Sequence, residues 1–225
     1  MLIGEQARGI VLLSGGIDSS AACRWLEKQG CVAEALLVRR GGRGDSQRDA
    51  AVLIAEKLGI CIHILDIESP SAGYDALVSG FPKVYSRQFP DIRPFAELAV
   101  WLSIGASLAA GRGTQALVLG LNDKDKRAHP NINDELIKEL ERIISAFTDH
   151  SVTFVTPFSS WSKGQVLRYA LDTGIPVEAT WSCEKDGKLH CGSCRHCQDR
   201  QEAFKEIDEV DPTIYAKVLG PTLPK

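Results

Sequence analysis

The residues best suited to chemistry near the start of the chain are two serines, two glycines and an acid, within the stretch VLLSGGIDSS at 11–20. Apolar residues precede them, as in a short buried strand, and the pattern that follows predicts a helix that Asp18 or Ser19 would cap. Such a strand, turn and helix N-terminus presents backbone N–H groups and the positive end of a helix dipole. The stretch therefore predicts an anion site, although an ordinary tight turn also contains glycine pairs.

The glycine stretch matches neither G-x-x-x-x-G-K-[ST] nor G-x-G-x-x-G, the two familiar phosphate motifs. It reads S-G-G-x-D-S, which resembles the signature of the PP-loop ATP pyrophosphatases. Those enzymes split ATP between its α and β phosphates and thereby adenylate a substrate. The resemblance implies that Ser14 and Ser19 hydrogen-bond pyrophosphate oxygens and that Asp18 helps to hold Mg²⁺. The expected ATP-binding residues are Ser14, Gly15, Gly16, Ile17, Asp18, Ser19 and Val38.

Four of the seven cysteines follow the spacing C-x7-C-x2-C-x2-C; they are Cys183, Cys191, Cys194 and Cys197. Four thiolates so close in sequence can form a tetrahedron around Zn²⁺, and a site with four protein ligands is structural. Metal binding would supply folding free energy to a loop too small to bury a core. Three alternatives remain: an iron–sulfur cluster, replacement of one cysteine by His190 or His196, or unligated thiols. The spacing favours zinc.

Apolar segments that alternate with amphipathic segments must position these residues. The predicted strands cover 10–13, 32–38, 60–65, 116–119 and 152–155, and the predicted helices cover about 18–29, 46–58, 95–110, 133–147, 162–173 and 197–207. This alternation indicates an α/β fold, a doubly wound parallel sheet with both faces covered. Ligands bind at the carboxyl ends of such strands, where the glycine stretch lies. We expect an ATP-binding domain over 1–180 and a zinc-binding region with a C-terminal helix over 181–225.

The composition narrows the class of protein. The 225 residues are 44% hydrophobic and 24% charged, with a formal net charge of −3. This charge argues against duplex nucleic-acid binding as the main function. The apolar stretches are shorter than the ~18 residues that a membrane span needs, and the N-terminus lacks the pattern of a secretory signal. We therefore expect a cytoplasmic protein, in which an odd number of cysteines argues against a disulfide framework.

Both ends of the chain resemble the 7-cyano-7-deazaguanine synthases, the QueC family. TPFSSWSKGQVLRYALDTGIPVEATWSC resembles the stretch before that family's first zinc cysteine, and RQEAFKEIDEVDPTIY resembles its tail. GLNDKDKRAHPNINDEL fits in length a family segment that reads G-V-N-x-x-D-x-x-G-Y-P-D-x-R-P-E-F. The resemblance implies an adenine-nucleotide α-hydrolase-like fold and a homodimer. It also makes Lys163 the expected phosphate clamp, with a solvated lysine at a helix end as the alternative. The expected catalytic residues are Ser14, Asp18, Ser19 and Lys163.

The family's reaction uses ATP twice on one carboxylate. The carboxyl group of 7-carboxy-7-deazaguanine is adenylated, ammonia displaces AMP to give an amide, and a second adenylation followed by loss of AMP leaves the nitrile. The first adenylation is needed because a carboxylate does not release oxide to ammonia, whereas an acyl adenylate releases AMP readily. Departure of pyrophosphate requires charge neutralisation, which Mg²⁺, loop N–H groups and a lysine can supply.

The middle of the chain departs from the family pattern. Proline follows Arg93, RRGGRGDSQRD replaces the family's Y-G-Q turn, and His129-Pro130-Asn131 replaces Tyr-Pro-Asp. Asn131 has one acceptor oxygen and adds donors where a carboxylate would accept from a guanine-like edge. An unpaired donor in a dry pocket costs about 1–3 kcal/mol. The expected substrate-binding residues are Arg93, Asn122, His129 and Asn131. Either another residue reads the base edge, such as Asp123, Asp125 or Asp134, or the ring of the substrate differs.

Three functions stay open. The leading one is conversion of the deazaguanine carboxylate to amide or nitrile. The second transfers the same acyl group to another amine, such as a protein N-terminus, by analogy with relatives found beside bacterial antiviral genes. The loop 39–48 could admit such an acceptor, while its arginines could face phosphates, an acidic partner or solvent; they are Arg39, Arg40, Arg43 and Arg48. The third is a non-catalytic module that binds nucleotide or mediates interactions through zinc.

Overall fold

The sheet of this protein has five parallel strands. The computed structural model describes residues 7–40, 45–67, 93–129, 132–148 and 152–216. The strands pair in the order β3-β2-β1-β4-β5, and each neighbouring pair is parallel. Their bounds are Arg8–Leu12 for β1, Val32–Arg40 for β2, Cys61–Ile67 for β3, Ala116–Val118 for β4 and Thr153–Val155 for β5. The order reverses at β1, which creates a crevice at the carboxyl ends of β1 and its neighbours.

Helices cover both faces of the sheet. They are α1 Ile17–Lys28, α2 Asp45–Leu58, α3 Arg93–Gly111, α4 Asp123–Ala128, α5 Asp134–Thr148, α6 Lys163–Asp172 and α7 Arg195–Glu206, with a 3-10 turn at Val177–Ala179. One cluster of buried residues packs α1, α2, α6 and α7 on one face. A second cluster packs α3 and α5 on the other face. Successive residues of β1 serve opposite clusters, Ile10 the second and Val11 the first, as the alternation of a strand requires. The predicted doubly wound α/β fold is confirmed.

The C-terminal region does not pack separately from this core. Ala203 and Phe204 of α7 are 1% and 2% exposed and belong to the cluster that contains α1 and α6. The division at residue 180 therefore stays a prediction. Within the described parts of the chain, no helix has the length and apolar character to cross a membrane.

Candidate active site and metal centre

The loop between β1 and α1 is held together by its own serines. The Oγ atoms of Ser14 and Ser19 lie 3.0 Å apart, and the backbone N–H of Ser14 donates to Ser19 Oγ at 3.1 Å. Gly16 is the N-cap of α1, and no side-chain hydrogen bond caps this described end. The predicted capping by Asp18 or Ser19 is therefore wrong, because both residues lie inside the first turn. An uncapped helix N-terminus leaves its N–H groups for an anion.

Two glycines allow other elements to approach this loop closely. Gly15 has φ +81°, and a Cβ atom on it would lie 2.5 Å from the carbonyl oxygen of Gln47 in α2. A Cβ atom on Gly120, just after β4, would lie 2.6 Å from the backbone nitrogen of Ser19. Gly120 was not predicted to have a role, although its position directly after a predicted strand was a signal. Backbone from α2 and from the β4 loop thus packs directly against the glycine loop.

Asp18 joins three distant segments of the chain. Its Oδ2 atom accepts a hydrogen bond from Nζ of Lys163, the first residue of α6. Its Oδ1 atom accepts from Nδ2 of Asn122 at 3.2 Å, and Asn122 is the N-cap of α4. The side chains of Asp18 and Lys163 are only 14% and 20% exposed. The structure therefore brings together a carboxylate and an ammonium group beside the open end of α1.

Asp125 is a second carboxyl group near this pair. Its Oδ2 atom accepts from the backbone N–H of Asn122 at 3.0 Å, which completes the capping box of α4. Burial raises its pKa, and the nearby charge of Asp18 raises it further. Asp125 therefore holds a proton more readily than an exposed aspartate does. The sequence reading named it only as an alternative reader of the base edge.

A cavity of about 420 Å³ opens at the carboxyl ends of the strands. Its volume is in the usual range for small-molecule sites. It is lined by nine of the residues expected to bind ATP or substrate, which are Ser14, Gly16, Ile17, Asp18, Ser19, Val38, Asn122, His129 and Lys163. Gly15 does not line the cavity; it packs against the backbone of α2. Arg93 begins α3, but its side chain and all of Asn131 fall outside the described residues.

The cavity also has lining residues beyond those expected to bind ATP or substrate. Leu98, Trp101 and Leu121 add an apolar wall, and Arg195 and His196 of α7 line another part. Arg39 and Arg48 also line the cavity, and Arg39 forms ion pairs with Asp45 at 3.0 Å and Asp66 at 3.1 Å. Arg39 thus belongs to the cavity wall. The side chain of Arg40 and the whole of Arg43 fall outside the described residues.

The four predicted cysteine ligands form one cluster. All four Sγ atoms lie within 4.8 Å of one another, and the pairs Cys191–Cys197 and Cys183–Cys194 are 3.9 Å apart. A tetrahedral ion with metal–sulfur bonds of about 2.3 Å places its sulfur atoms about 3.8 Å apart. Burial raises the pKa of Cys183, and the backbone N–H groups of Lys185 and Cys191, which donate to its Sγ at 3.3 Å, oppose that effect. The donor set therefore fits a single tetrahedral ion.

The geometry of the cluster disfavours two of the alternatives. Cysteines that bind an iron–sulfur cluster are divided among several iron atoms, so their sulfur atoms spread farther apart than these do. His190 Nε2 already accepts the backbone N–H of Ser182 at 3.0 Å, and its ring packs on Trp181 with centroids 4.3 Å apart. His196 instead approaches Glu184, with Nδ1 3.7 Å from a carboxylate oxygen. Neither histidine is among the four donors that the structure groups together.

A buried arginine attaches α7 to its surroundings. Arg200 is 0% exposed, and its guanidinium donates to Thr180 Oγ1 at 2.7 Å, to the carbonyl oxygen of Val177 at 2.9 Å and to Asp211 Oδ1 at 3.2 Å. Burial acts to raise the pKa of Asp211. Hydrogen bonds from Tyr215 and Thr213, together with the Arg200 charge, outweigh burial and hold that pKa below its usual range. The last described segment of the chain is thus fixed to α7 through one ion pair.

Several contacts join the cysteine region to the cavity. The backbone N–H of Trp181 donates to the carbonyl oxygen of Gly15 at 2.8 Å. Lys124 of α4 forms an ion pair with Asp199 of α7 at 2.6 Å. Glu206, the last residue of α7, accepts hydrogen bonds at the start of α6. The sequence carried no sign of these contacts, because they join segments that share no periodic pattern.

Known proteins match this chain over almost its whole length. The family model described as queuosine biosynthesis protein QueC matches residues 8–208. The 7-cyano-7-deazaguanine synthase of Synechococcus sp. (strain CC9605) is 31% identical over 92% of this chain and 96% of its own length. The corresponding synthase of Acinetobacter baylyi is 30% identical over 94% of this chain and 96% of its own length. Both relatives therefore span almost the whole chain.

Solved structures share the fold at lower identity. The U34-tRNA thiolase NcsA from Methanococcus maripaludis has a TM-score of 0.54 at 19% identity, covering 92% of this chain and 67% of its own. NMN synthetase from Francisella tularensis has a TM-score of 0.52 at 17% identity, covering 91% of this chain and 79% of its own. These likenesses confirm the fold of the PP-loop ATP pyrophosphatases. The family-model match over residues 8–208 and the 31% identity to the Synechococcus synthase show that the chain belongs to the QueC family.

Proposed function

We propose that this chain uses ATP to adenylate the carboxylate of 7-carboxy-7-deazaguanine and converts it with ammonia to the amide and then the nitrile. Two relatives that it matches over more than nine-tenths of its length are named 7-cyano-7-deazaguanine synthases. The observation that carries the proposal is the pairing of Asp18 with Lys163 beside the uncapped start of α1. A cleavage that releases pyrophosphate needs this combination of a metal-binding carboxylate, an ammonium group and free N–H groups.

In the first step a carboxylate oxygen of the substrate attacks the α-phosphorus of ATP. The bond from the α-phosphorus to the bridging oxygen breaks, and pyrophosphate leaves with the electron pair. The hydroxyl groups of Ser14 and Ser19, which lie 3.0 Å apart, would bind pyrophosphate oxygens, and Lys163 Nζ would neutralise the charge that develops there. Mg²⁺, held through the Asp18 carboxylate, would supply further charge neutralisation.

In the second step ammonia attacks the acyl carbon, AMP leaves and a proton is lost, which gives the amide. The amide oxygen then attacks the α-phosphorus of a second ATP and pyrophosphate leaves. Loss of AMP and of both protons on the nitrogen gives the nitrile. An acyl adenylate also reacts with water, so the site must exclude it. Leu98, Trp101 and Leu121 provide an apolar wall suited to that task. We assign Asn122 and His129 to substrate binding because both line the same cavity.

We further propose that the four-cysteine cluster binds one Zn²⁺. Its sulfur spacing of 3.9 Å fits a tetrahedral ion, and four protein ligands leave no open position for water. The ion would therefore stabilise the region between the 3-10 turn and α7, without taking part in the reaction. This region lies beside the cavity through Trp181, Arg195 and His196.

The test is incubation of the protein with Mg²⁺-ATP and 7-carboxy-7-deazaguanine, with and without ammonia, followed by mass spectrometry. We expect AMP, pyrophosphate and, with ammonia, the nitrile. Asp18→Ala should lower turnover by at least about 100-fold, whereas Lys205→Ala, on the exposed side of α7, should not. Release of ADP and phosphate would contradict adenylation. When candidate neighbouring proteins are added to the same reaction, a fixed mass gained by one of them would identify a protein amine as the acceptor instead of ammonia. ATP binding without pyrophosphate release would leave only a binding module.

A further inference from the structure

The N-terminus of α6, which begins at Lys163, is capped by side chains, whereas no side chain among the described residues caps the N-terminus of α1. Ser162 is its N-cap, and Ser162 and Gln165 form a reciprocal capping box with hydrogen bonds of 2.8 Å and 3.1 Å. The backbone N–H of Gly164 donates to Glu206 Oε2 at 3.1 Å, and Ser162 Oγ donates to Glu206 Oε1. The N–H groups of Gly164 and Gln165 therefore already have partners. These two N–H groups are thus not available to a phosphate, whereas the Lys163 ammonium group lies against Asp18.

The negative charge of Glu206 stabilises α6 more than it stabilises α7, the helix to which Glu206 belongs. Glu206 is the last residue of α7, where a negative charge faces the negative end of the helix dipole. The same carboxylate lies at the N-terminus of α6, where a negative charge is stabilising. Gly164 has no side chain, and a Cβ atom there would collide with the carboxylate of Glu206. Glu206 thus sits directly against the two residues that flank Lys163.

We propose that Glu206 is a positioning residue for Lys163. By binding Ser162 and Gly164 on either side, it fixes the first turn of α6 so that Lys163 Nζ reaches Asp18 and the pyrophosphate that leaves. The proposal deepens and rests on the proposed function, because Lys163 has this task only if ATP is split. It also makes α7 the connection between the two sites, since the helix carries Cys197 in its first turn and ends at Glu206.

A double-mutant cycle between Glu206 and Lys163 tests this role. The variants are Glu206→Ala, Lys163→Met and the double variant, each assayed for kcat, KM, Mg²⁺-ATP affinity by calorimetry, metal content and melting temperature. Glu206→Ala should lower kcat roughly tenfold, because a displacement of about 1 Å in a catalytic group has effects of that size or larger. In the Lys163→Met background the same change should have almost no further effect on kcat or on Mg²⁺-ATP affinity.

Two further variants separate positioning from general support. Glu206→Gln keeps an acceptor oxygen for the Gly164 N–H, and it should recover part of the lost kcat. Glu209→Ala is the matched control. Glu209 also binds α6, through an ion pair with Arg168 at 2.8 Å, but this contact lies away from the first turn of α6. It should leave kcat within about twofold of the unchanged protein.

An equal loss from Glu206→Ala in both backgrounds would overturn the proposal. So would an unchanged kcat accompanied by a lower melting temperature, since that would make Glu206 purely structural. If the unaltered protein releases no pyrophosphate with the acid, the proposed function fails by itself. The positioning role is then judged on Mg²⁺-ATP affinity alone, which Glu206→Ala must weaken only when Lys163 is present.

Discussion

At the scale of single residues, Gly15 and Gly16 are neighbours with different constraints. Gly15 has φ +81° and faces the backbone of α2, where a Cβ atom would lie 2.5 Å from Gln47 O and 2.9 Å from Ala51 N. Gly16 has φ −84°, and a Cβ atom there would be 3.5 Å from Ser14 Oγ, an ordinary contact. Of these two residues, therefore, Gly15 is the one that must be glycine for α2 to pack against the loop.

We predict that Gly15→Ala lowers the free energy of unfolding by about 2–4 kcal/mol, from the strained φ and the collision with α2. Gly16→Ala should lower it by about 1 kcal/mol at most, from loss of a favoured N-cap residue, because alanine fits both the conformation and the space. Denaturant unfolding of the two variants beside the unaltered protein measures this difference. Equal stabilities for the two variants would show that the approach of α2 does not constrain the loop.

The candidate site was predictable where a local motif or a resemblance existed. The serine and glycine motif of 14–19 and the lysine at 163 were named from the sequence, and the structure brings Asp18 and Lys163 into contact. Gly120 and Glu206 were missed, because their importance arises from approaches between segments far apart in the chain. The position of Gly120 directly after a strand was a signal, but a single sequence does not show which segments approach it, and Glu206 had no signal.

At the scale of elements, α7 is attached through the buried Arg200–Asp211 ion pair, which gives a prediction with a pH dependence. The pKa of Asp211 lies below its usual range, so the stability contributed by its ionised form is complete above pH of about 3.8. It is lost as the pH falls through the lowered pKa. Asp211→Asn should therefore cost about 3 kcal/mol at pH 7, because Arg200 would keep a buried charge without its partner.

The cost of Asp211→Asn should shrink as the pH is lowered below about 3.8, where the unaltered protein loses the same charge. Glu209→Gln is the control, since its partner Arg168 and Glu209 itself are each 43% exposed and such pairs contribute at most about 1 kcal/mol. Thermal unfolding of all three proteins between pH 3 and pH 7 makes the comparison. A difference that does not change with pH would exclude the ion pair as its cause.

All five strands were predicted within a few residues of their bounds, because apolar runs between turn residues mark buried strands. The helix α4 was missed. It has only six residues, none of them buried, and therefore no hydrophobic period. Its signal was Asn122 followed three residues later by Asp125, which form its capping box. The position of α4 beside Asp18 makes this short helix part of the candidate site.

At the scale of the whole molecule, the four-cysteine cluster links metal content to stability and ATP binding. We predict one Zn²⁺ per chain by elemental analysis. Chelation should lower the melting temperature and weaken Mg²⁺-ATP affinity together, because α7 shares the core with α1 and contacts both α4 and α6. Bound iron with visible absorbance would contradict the zinc assignment. So would a metal-free protein with an unchanged melting temperature.

The resemblance to the family also predicts a homodimer. Light scattering at micromolar concentration should give twice the mass of the 24.5 kDa chain. A mass that stays at one chain over this range would contradict the prediction. The measurement should be repeated after chelation, so that the effect of the metal on assembly is known.

The contact between α7 and α6 also bears on synthesis at the ribosome. The glycine loop is synthesised before its partners, because Lys163 is 145 positions after Asp18 and Glu206 is 42 positions after Gly164. At roughly 5–20 residues per second, the nascent chain carries its nucleotide signature for many seconds before the helix that orients Lys163 emerges. A product released before α7 would contain the whole signature and still lack Glu206 and Cys197. Among the described segments around the cavity, α7 is therefore the last to be synthesised, and the contact between Glu206 and α6 forms only after it.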